Sequence, residues 1–292
     1  MVSISPLLAS RHGVSTQNSK LPDISLKALG EQHTRWVDYR KALNAYSDKN
    51  LSQDAYIALL MQKYRIDNYI DNYRFRSYLV PINSEYGFHS AMGGLPNAAS
   101  FKTKKDYDDY LARLDALLPY FIQQIDYMKA GIAEGYTQPR VVLEGFEDSI
   151  STYLVDSAEE SSFFTPFTSF PAFIDEAQQQ ALKQRAIETI TTRVLPAYQA
   201  FYDFMVETYI PSSRENIAAK NWPDGEQYYA NRAKHYTTTD MSPEDIHALG
   251  LKEVKRIRAE MQAVVDKVSF DGSINDFITF LREDPQFYAE SA

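Results

Sequence analysis

Apolar positions along this chain recur at the three- and four-residue intervals of helices, and nowhere over a useful length at the two-residue interval of strands. The clearest run holds Tyr107, Tyr110, Leu111, Leu114, Leu117, Leu118, Phe121, Ile122, Ile125, Met128 and Ile132. Thr103 and Asp106 stand at the spacing of a capping box and Gly135 supplies a stop, so one helix is predicted over 103–135. Upstream, Tyr56, Leu59, Leu60 and Tyr64 form a comparable stripe, with Ser52 as N-cap and Pro81 ending the run. A helix carrying Trp36 and Tyr39 precedes it. Between these runs Gly87, Gly93, Gly94 and Pro96 interrupt the pattern, and 82–101 is predicted to be an ordered loop.

Further on, the Ser/Phe/Pro stretch 161–171 is predicted to be a turn packed through its phenylalanines. A long helical pattern follows from about 175 to 210, and Pro196 is expected to kink it. Residues 221–240 then connect to an amphipathic helix that starts at Ser242 and carries Ile246, Leu249, Val254, Ile257, Met261, Val264 and Val265. A last apolar pattern begins near Ser273 and is interrupted at Asp284 and Pro285. The class this predicts is all-α, a multi-helix array. An N-terminal extension and first helix occupy 1–50, and the helical domain occupies 51–292.

Composition narrows the function. Apolar residues make up 44% of the 292, enough for a sizeable core, and 21 Tyr and 16 Phe against 2 Trp suit grooves that are apolar with a polar rim. A net charge of −9 without any basic run argues against nucleic-acid binding, which needs clustered Lys and Arg. The chain has no cysteine, so disulfides, Cys-ligated zinc, iron–sulfur clusters, thiol nucleophiles and a lipid-modified N-terminal Cys are excluded within it. No run approaches the roughly 18 apolar residues of a membrane span. The N-terminus lacks the charged and apolar regions of a signal peptide; if a leader was removed, a periplasmic or cell-envelope address is expected.

The five histidines are scattered, and no pair has the four-residue spacing of a zinc helix. Glu244 and His247 stand three apart, but a di-iron bundle needs two such pairs and further Glu residues. Glu244 suits a helix N-terminus better. Glu85 stands four before His89 with Gly87 between, a poor ligand face. Neither a G-x-S-x-G elbow nor a phosphate-cradling glycine loop occurs. What remains is His235-Tyr236-Thr237-Thr238-Thr239, which places an imidazole and hydroxyls on an expected extended segment just before a capped helix, where they could hydrogen-bond a peptide. Ser242 is the expected cap of that helix, Pro243 its first residue, and Asp245 the completion of a capping box.

The segment YYANRAKHYTTTDMSPEDIHALGLKEVKRIRAEM, together with YLVPINSEYGFHSAMGGLP, the stretch from Phe101 to Gly145 and FLREDPQFY, resembles the bacterial domain-of-unknown-function 885 family over about Leu51 to the end. Members of that family resemble zincin metallopeptidases, with an H-E-x-x-P-G-H-H type helix in their C-terminal half, and many carry secretory or lipoprotein leaders. The resemblance implies that this chain is the N-terminal part of such a fold, truncated before the zinc-binding half, with no zinc-ligand, catalytic or cofactor role of its own. Zinc is expected only in a full-length member. Substrate-cleft candidates are His89 and His235 through Thr239, and the expected partners are a peptide substrate or the C-terminal half. Self-association through exposed apolar surface, near Phe277, Phe280, Phe287 and Tyr288, is a further expectation. The rival reading is a stand-alone helical module that binds peptides or a partner without catalysis.

Overall fold

Helices build the computed structural model, which describes residues 5–46 and 51–289. Expectations that touch residues 1–4, the division at residue 50 and the last three positions of the chain lie outside the described residues. Among the described residues, extended pairing is confined to two isolated bridges, Ile82 with Gly87 and Pro139 with Arg214. The chain divides into two compact units, Met1–Glu226 and Gln227–Ala292.

In the first unit, α1 (Pro6–Arg11) leads to α2 (Leu26–Asn44) and α3 (Gln53–Arg74), which pack on each other. Each of the two long helices is opened by a serine whose hydroxyl accepts from a main-chain N–H, Ser25 from Ala28 and Ser52 from Ala55. The segment expected to be a loop instead holds two short helices, α4 (Phe88–Gly93) and α5 (Leu95–Ala98). The glycines and Pro96 limit their length, yet Phe88 and Met92 on α4 and Leu95 on α5 are buried, and that burial outweighs the poor propensity.

The helix predicted over 103–135 is two helices, α6 (Lys104–Asp115) and α7 (Leu117–Glu134), broken at Ala116. Pro119 accounts for the break, since it offers no N–H to the Asp115 carbonyl and its ring crowds that oxygen. Both ends are as predicted: Thr103 and Asp106 form a complete capping box, and Gly135 closes α7 with φ +85°, a conformation that favours glycine. After α8 (Asp148–Ser151), a 3₁₀ stretch over Ser162–Phe167 buries Phe163, Phe164 and Phe167.

The long pattern near 175–210 is a near-continuous helix of α9 (Glu176–Thr189), α10 (Leu195–Phe204) and α11 (Ile210–Ser212), joined by π-helical turns at Ile190–Val194 and Met205–Tyr209. Pro196 and Pro211 each follow one of these turns. A proline ring strikes the carbonyl four residues back, here Thr192 and Glu207, and both carbonyls lie inside the widened π turns that make room. The core sits where α7 packs on α10, with Leu117, Phe121 and Met128 facing Ala197, Tyr198 and Phe201, all fully buried. Each large side chain there contributes about 2 kcal/mol of burial.

The second unit starts within α12 (Gly225–Thr237) and continues through α13 (Pro243–Lys267) and α14 (Ile274–Glu283). The stretch read as a connection thus holds a helix. Its interior is polar with paired tyrosines and carries no apolar stripe, so periodicity gives no signal for it. Ser242 caps α13 as predicted, accepting from the Asp245 N–H, but Asp245 does not complete a box. Its carboxylate accepts the Ser242 hydroxyl instead, at 2.7 Å. The helix-starting box in this unit belongs to α14, formed by Ser273 and Asp276.

Candidate functional site

His89 lies on α4, opened by Gly87 in an extended conformation. Its side chain has no solvent exposure and is enclosed by the rings of Phe146 and Phe201, at 5.2 and 5.3 Å. Nε2 lies 2.9 Å from Ser149 Oγ, and Ser149 gives its own proton to the Phe146 carbonyl at 2.6 Å. Ser90 Oγ lies 3.2 Å from the same nitrogen, and with the Ser149 proton on the Phe146 carbonyl we assign the imidazole proton to Nε2, donating to Ser149. Among the described residues Nδ1 is buried with no partner, and Gly87 lies against it: a Cβ there would stand 2.6 Å from that nitrogen. The backbone of His89 is anchored too, its carbonyl accepting from Tyr198 OH at 2.8 Å. Desolvation lowers the imidazole pKa to about 4. This is a neutral ring that fixes α4 against α8 and α10. Glu85 is exposed and its main-chain N–H is held by Asn83, so the two do not form a ligand face.

The other candidates lie in the second unit, and the extended segment expected for them is absent. His235, Tyr236 and Thr237 form the last turn of α12, and Thr238, with φ +56°, turns the chain out of it. The threonines satisfy the orphan groups of the helix end. Thr238 N–H donates to the Lys234 carbonyl, Thr237 Oγ1 to the Ala233 carbonyl, and Thr239 N–H to Thr237 Oγ1. Lys234 reaches forward to Asp240 at 2.5 Å, and that hydrogen bond lowers the Asp240 pKa. Tyr236 meets His235 edge to face at 4.9 Å and is 79% exposed. Partial burial, then the charge of Arg232, lowers the His235 pKa. The structure therefore brings five of the six candidates together at one self-capped helix end, with His89 in the other unit. Among the described residues, no group of three or more His, Asp or Glu comes together that could hold a metal ion, and no helix is long and apolar enough to cross a membrane.

One feature of the first unit escaped sequence reasoning. Trp36 stacks on Tyr69 at 4.7 Å and His33 on Tyr73 at 4.5 Å, and with Tyr78 they line a groove of about 450 Å³ between α2 and α3. The signal was present as His33 and Trp36, and Tyr69 and Tyr73, at helical spacings on two successive helices, but pairing them required the α2–α3 packing.

With these features placed, the relatives can be compared. The family described as "Bacterial protein of unknown function (DUF885)" matches residues 6–292. The chain belongs to this family. The match reaches well N-terminal of residue 51, where the motifs alone began, and so takes in α1 and α2. Among solved structures, the crystal structure of the "putative lipoprotein from Colwellia psychrerythraea" is similar, with a TM-score of 0.80 at 19% identity over 99% of this chain. At that identity the likeness concerns the fold. The chain spans about half of that protein, 53% of its length. No curated protein matches.

Proposed function

We propose that this chain is the helical, cleft-forming part of a zinc-dependent peptidase, supplying walls that hold a peptide while the metal and the general base come from elsewhere. The observation that carries this reading is the end of α12, where a turn held by its own threonines presents Tyr236 to solvent beside His235. A rigid, largely exposed aromatic ring next to an imidazole offers stacking and one polar handle at low entropic cost. Family membership and the half-length relation to the similar solved structure support it. The described residues do not fit a zinc ion, so no step through zinc is assigned to them. His89 serves this reading as a buried anchor of α4 and makes no contact with substrate.

The test is equilibrium binding of a fluorescent peptide library to the chain, followed by Tyr236→Ala. The expected result is weak binding that falls about fivefold or more in the variant, as loss of one exposed aromatic contact requires. No binding by any peptide, or equal binding by the variant, overturns the cleft reading.

A second reading, a partner-binding module without catalysis, is favoured by α13. Leu251, Val254, Ile257 and Val264 recur on it at helical intervals and are exposed, as is Val268 at its C-cap. Downstream coding sequence separates the two readings: an in-frame zinc-binding helix supports the peptidase, and a stop codon supports the module.

A further inference from the structure

The first unit contains a second, more polar cavity of about 570 Å³, bounded by the N-terminal segment, α5 and α6 and lined in part by Arg11, Asn18, Asp106, Asp109 and Arg113. Arg113 is only 2% exposed. A guanidinium that deep ordinarily has a carboxylate partner, because desolvating an unpaired charge is costly. Arg113 has none. Its Nε donates to the Lys20 carbonyl, and its Nη2 to Ser10 Oγ and the carbonyls of Gln17 and Pro6. Among the described residues no acceptor meets Nη1, and the side chain lines the cavity.

One turn earlier on the same helical face stands Asp109, also buried; burial lowers the Arg113 pKa, and the Asp109 charge opposes that shift. Among the described residues its carboxylate is paired only with Lys105, at 2.6 and 2.7 Å, and the Lys105 side chain is 73% exposed. The lysine end of this pair lies in solvent while the carboxylate is buried, so another ammonium can take the place of the lysine on Asp109 without uncovering the carboxylate. Asn18, also in the lining, leaves its Oδ1 buried without a donor among the described residues. The cavity thus joins a cation with an unused donor, a buried carboxylate with a replaceable partner and an unmet acceptor. A simple anion would meet Arg113 and Arg11 but face Asp106 and Asp109, and a simple cation would meet the reverse. A ligand carrying both charges a few atoms apart answers both.

We propose that this cavity binds a free α-amino acid, its carboxylate on Arg113 Nη1 and its ammonium over Asp109 in place of Lys105. The site is separate from the end of α12 and does not depend on the peptidase reading. The side chain of the ligand occupies the remaining volume, toward Asn97 and Tyr110.

Isothermal titration of the chain with L-alanine, L-leucine, L-glutamine and L-phenylalanine, against acetate and methylammonium as half-ligands, tests this. At least one amino acid is expected to bind with Kd of about 0.1–1 mM, the range open to so small a ligand, and both half-ligands at least about tenfold more weakly. Asp109→Asn keeps the shape of the side chain and is expected to cost about tenfold in affinity. Lys105→Ala, at an exposed position, is expected to tighten binding by about threefold because it removes the competitor for Asp109. That gain distinguishes a binding site from a structural charge cluster. Absence of heat with every amino acid, half-ligands that bind as well as the whole, or unchanged affinity in either variant overturns the proposal.

Discussion

His89 couples this fold to pH through a single nitrogen. In the folded chain its pKa is lowered to about 4, whereas an unfolded chain holds the imidazole near its ordinary 6.5. Protons therefore bind the unfolded state first. Stability is fully present above about pH 6.5 and is lost as the pH falls from there toward 4, by up to about 3 kcal/mol. Urea titrations at pH 7 and pH 5 should show this loss. His89→Gln, which keeps a donor for Ser149, should flatten the dependence by about one proton; an unchanged slope would mean that the ring titrates freely. Ser242 makes a simpler prediction. Its hydroxyl accepts from the Asp245 N–H at 3.1 Å, so Ser242→Ala should cost about 1 kcal/mol at the start of α13, read as a lower denaturant midpoint. An identical midpoint would show that the cap contributes nothing.

At the level of elements, what could be read from the chain was whatever a local rule decides. The caps at Ser52, Thr103 and Ser242 and the stop at Gly135 depend on a few neighbouring residues, and all four stand where they were predicted. The errors came where burial or a proline overrides periodicity. Pro119 splits a stripe that continues unbroken across it, and α4 and α5 exist because three buried side chains outweigh four helix-breaking residues. The end of α12 escaped for a third reason: its threonines read as an extended hydroxyl display, and they are the helix's own terminus. Arg113 drew no attention in the sequence for a different reason. Its burial is set by residues some hundred positions away, at the N-terminal segment. A dynamic prediction follows from the same contrast. α7 has six buried residues and α13 only Val265, so amides in the middle of α13 should exchange with solvent faster than those of α7. Equal protection by hydrogen-exchange mass spectrometry would show that α13 is packed in solution.

For the molecule as a whole, the exposed apolar stripe on α13 and the exposed Phe287 and Tyr288 predict concentration-dependent self-association, which a net charge of −9 opposes most at low salt. Light scattering should therefore show mass rising with protein concentration and with added salt, and Leu251→Lys with Val264→Lys should abolish it; a wild-type monomer at all concentrations would assign that surface no role in assembly. The division of the chain has an optical consequence as well. Both tryptophans belong to the first unit, Trp36 stacked on Tyr69 and Trp222 donating its indole N–H to the Thr137 carbonyl, so Gln227–Ala292 contains none. Tryptophan emission excited at the red edge of absorption reports on Met1–Glu226 alone, whereas far-ultraviolet circular dichroism sums every helix, with the 25 residues of α13 a large part of the rest. If the units melt separately, the two signals should trace different curves, with part of the ellipticity lost while the emission spectrum has not yet moved.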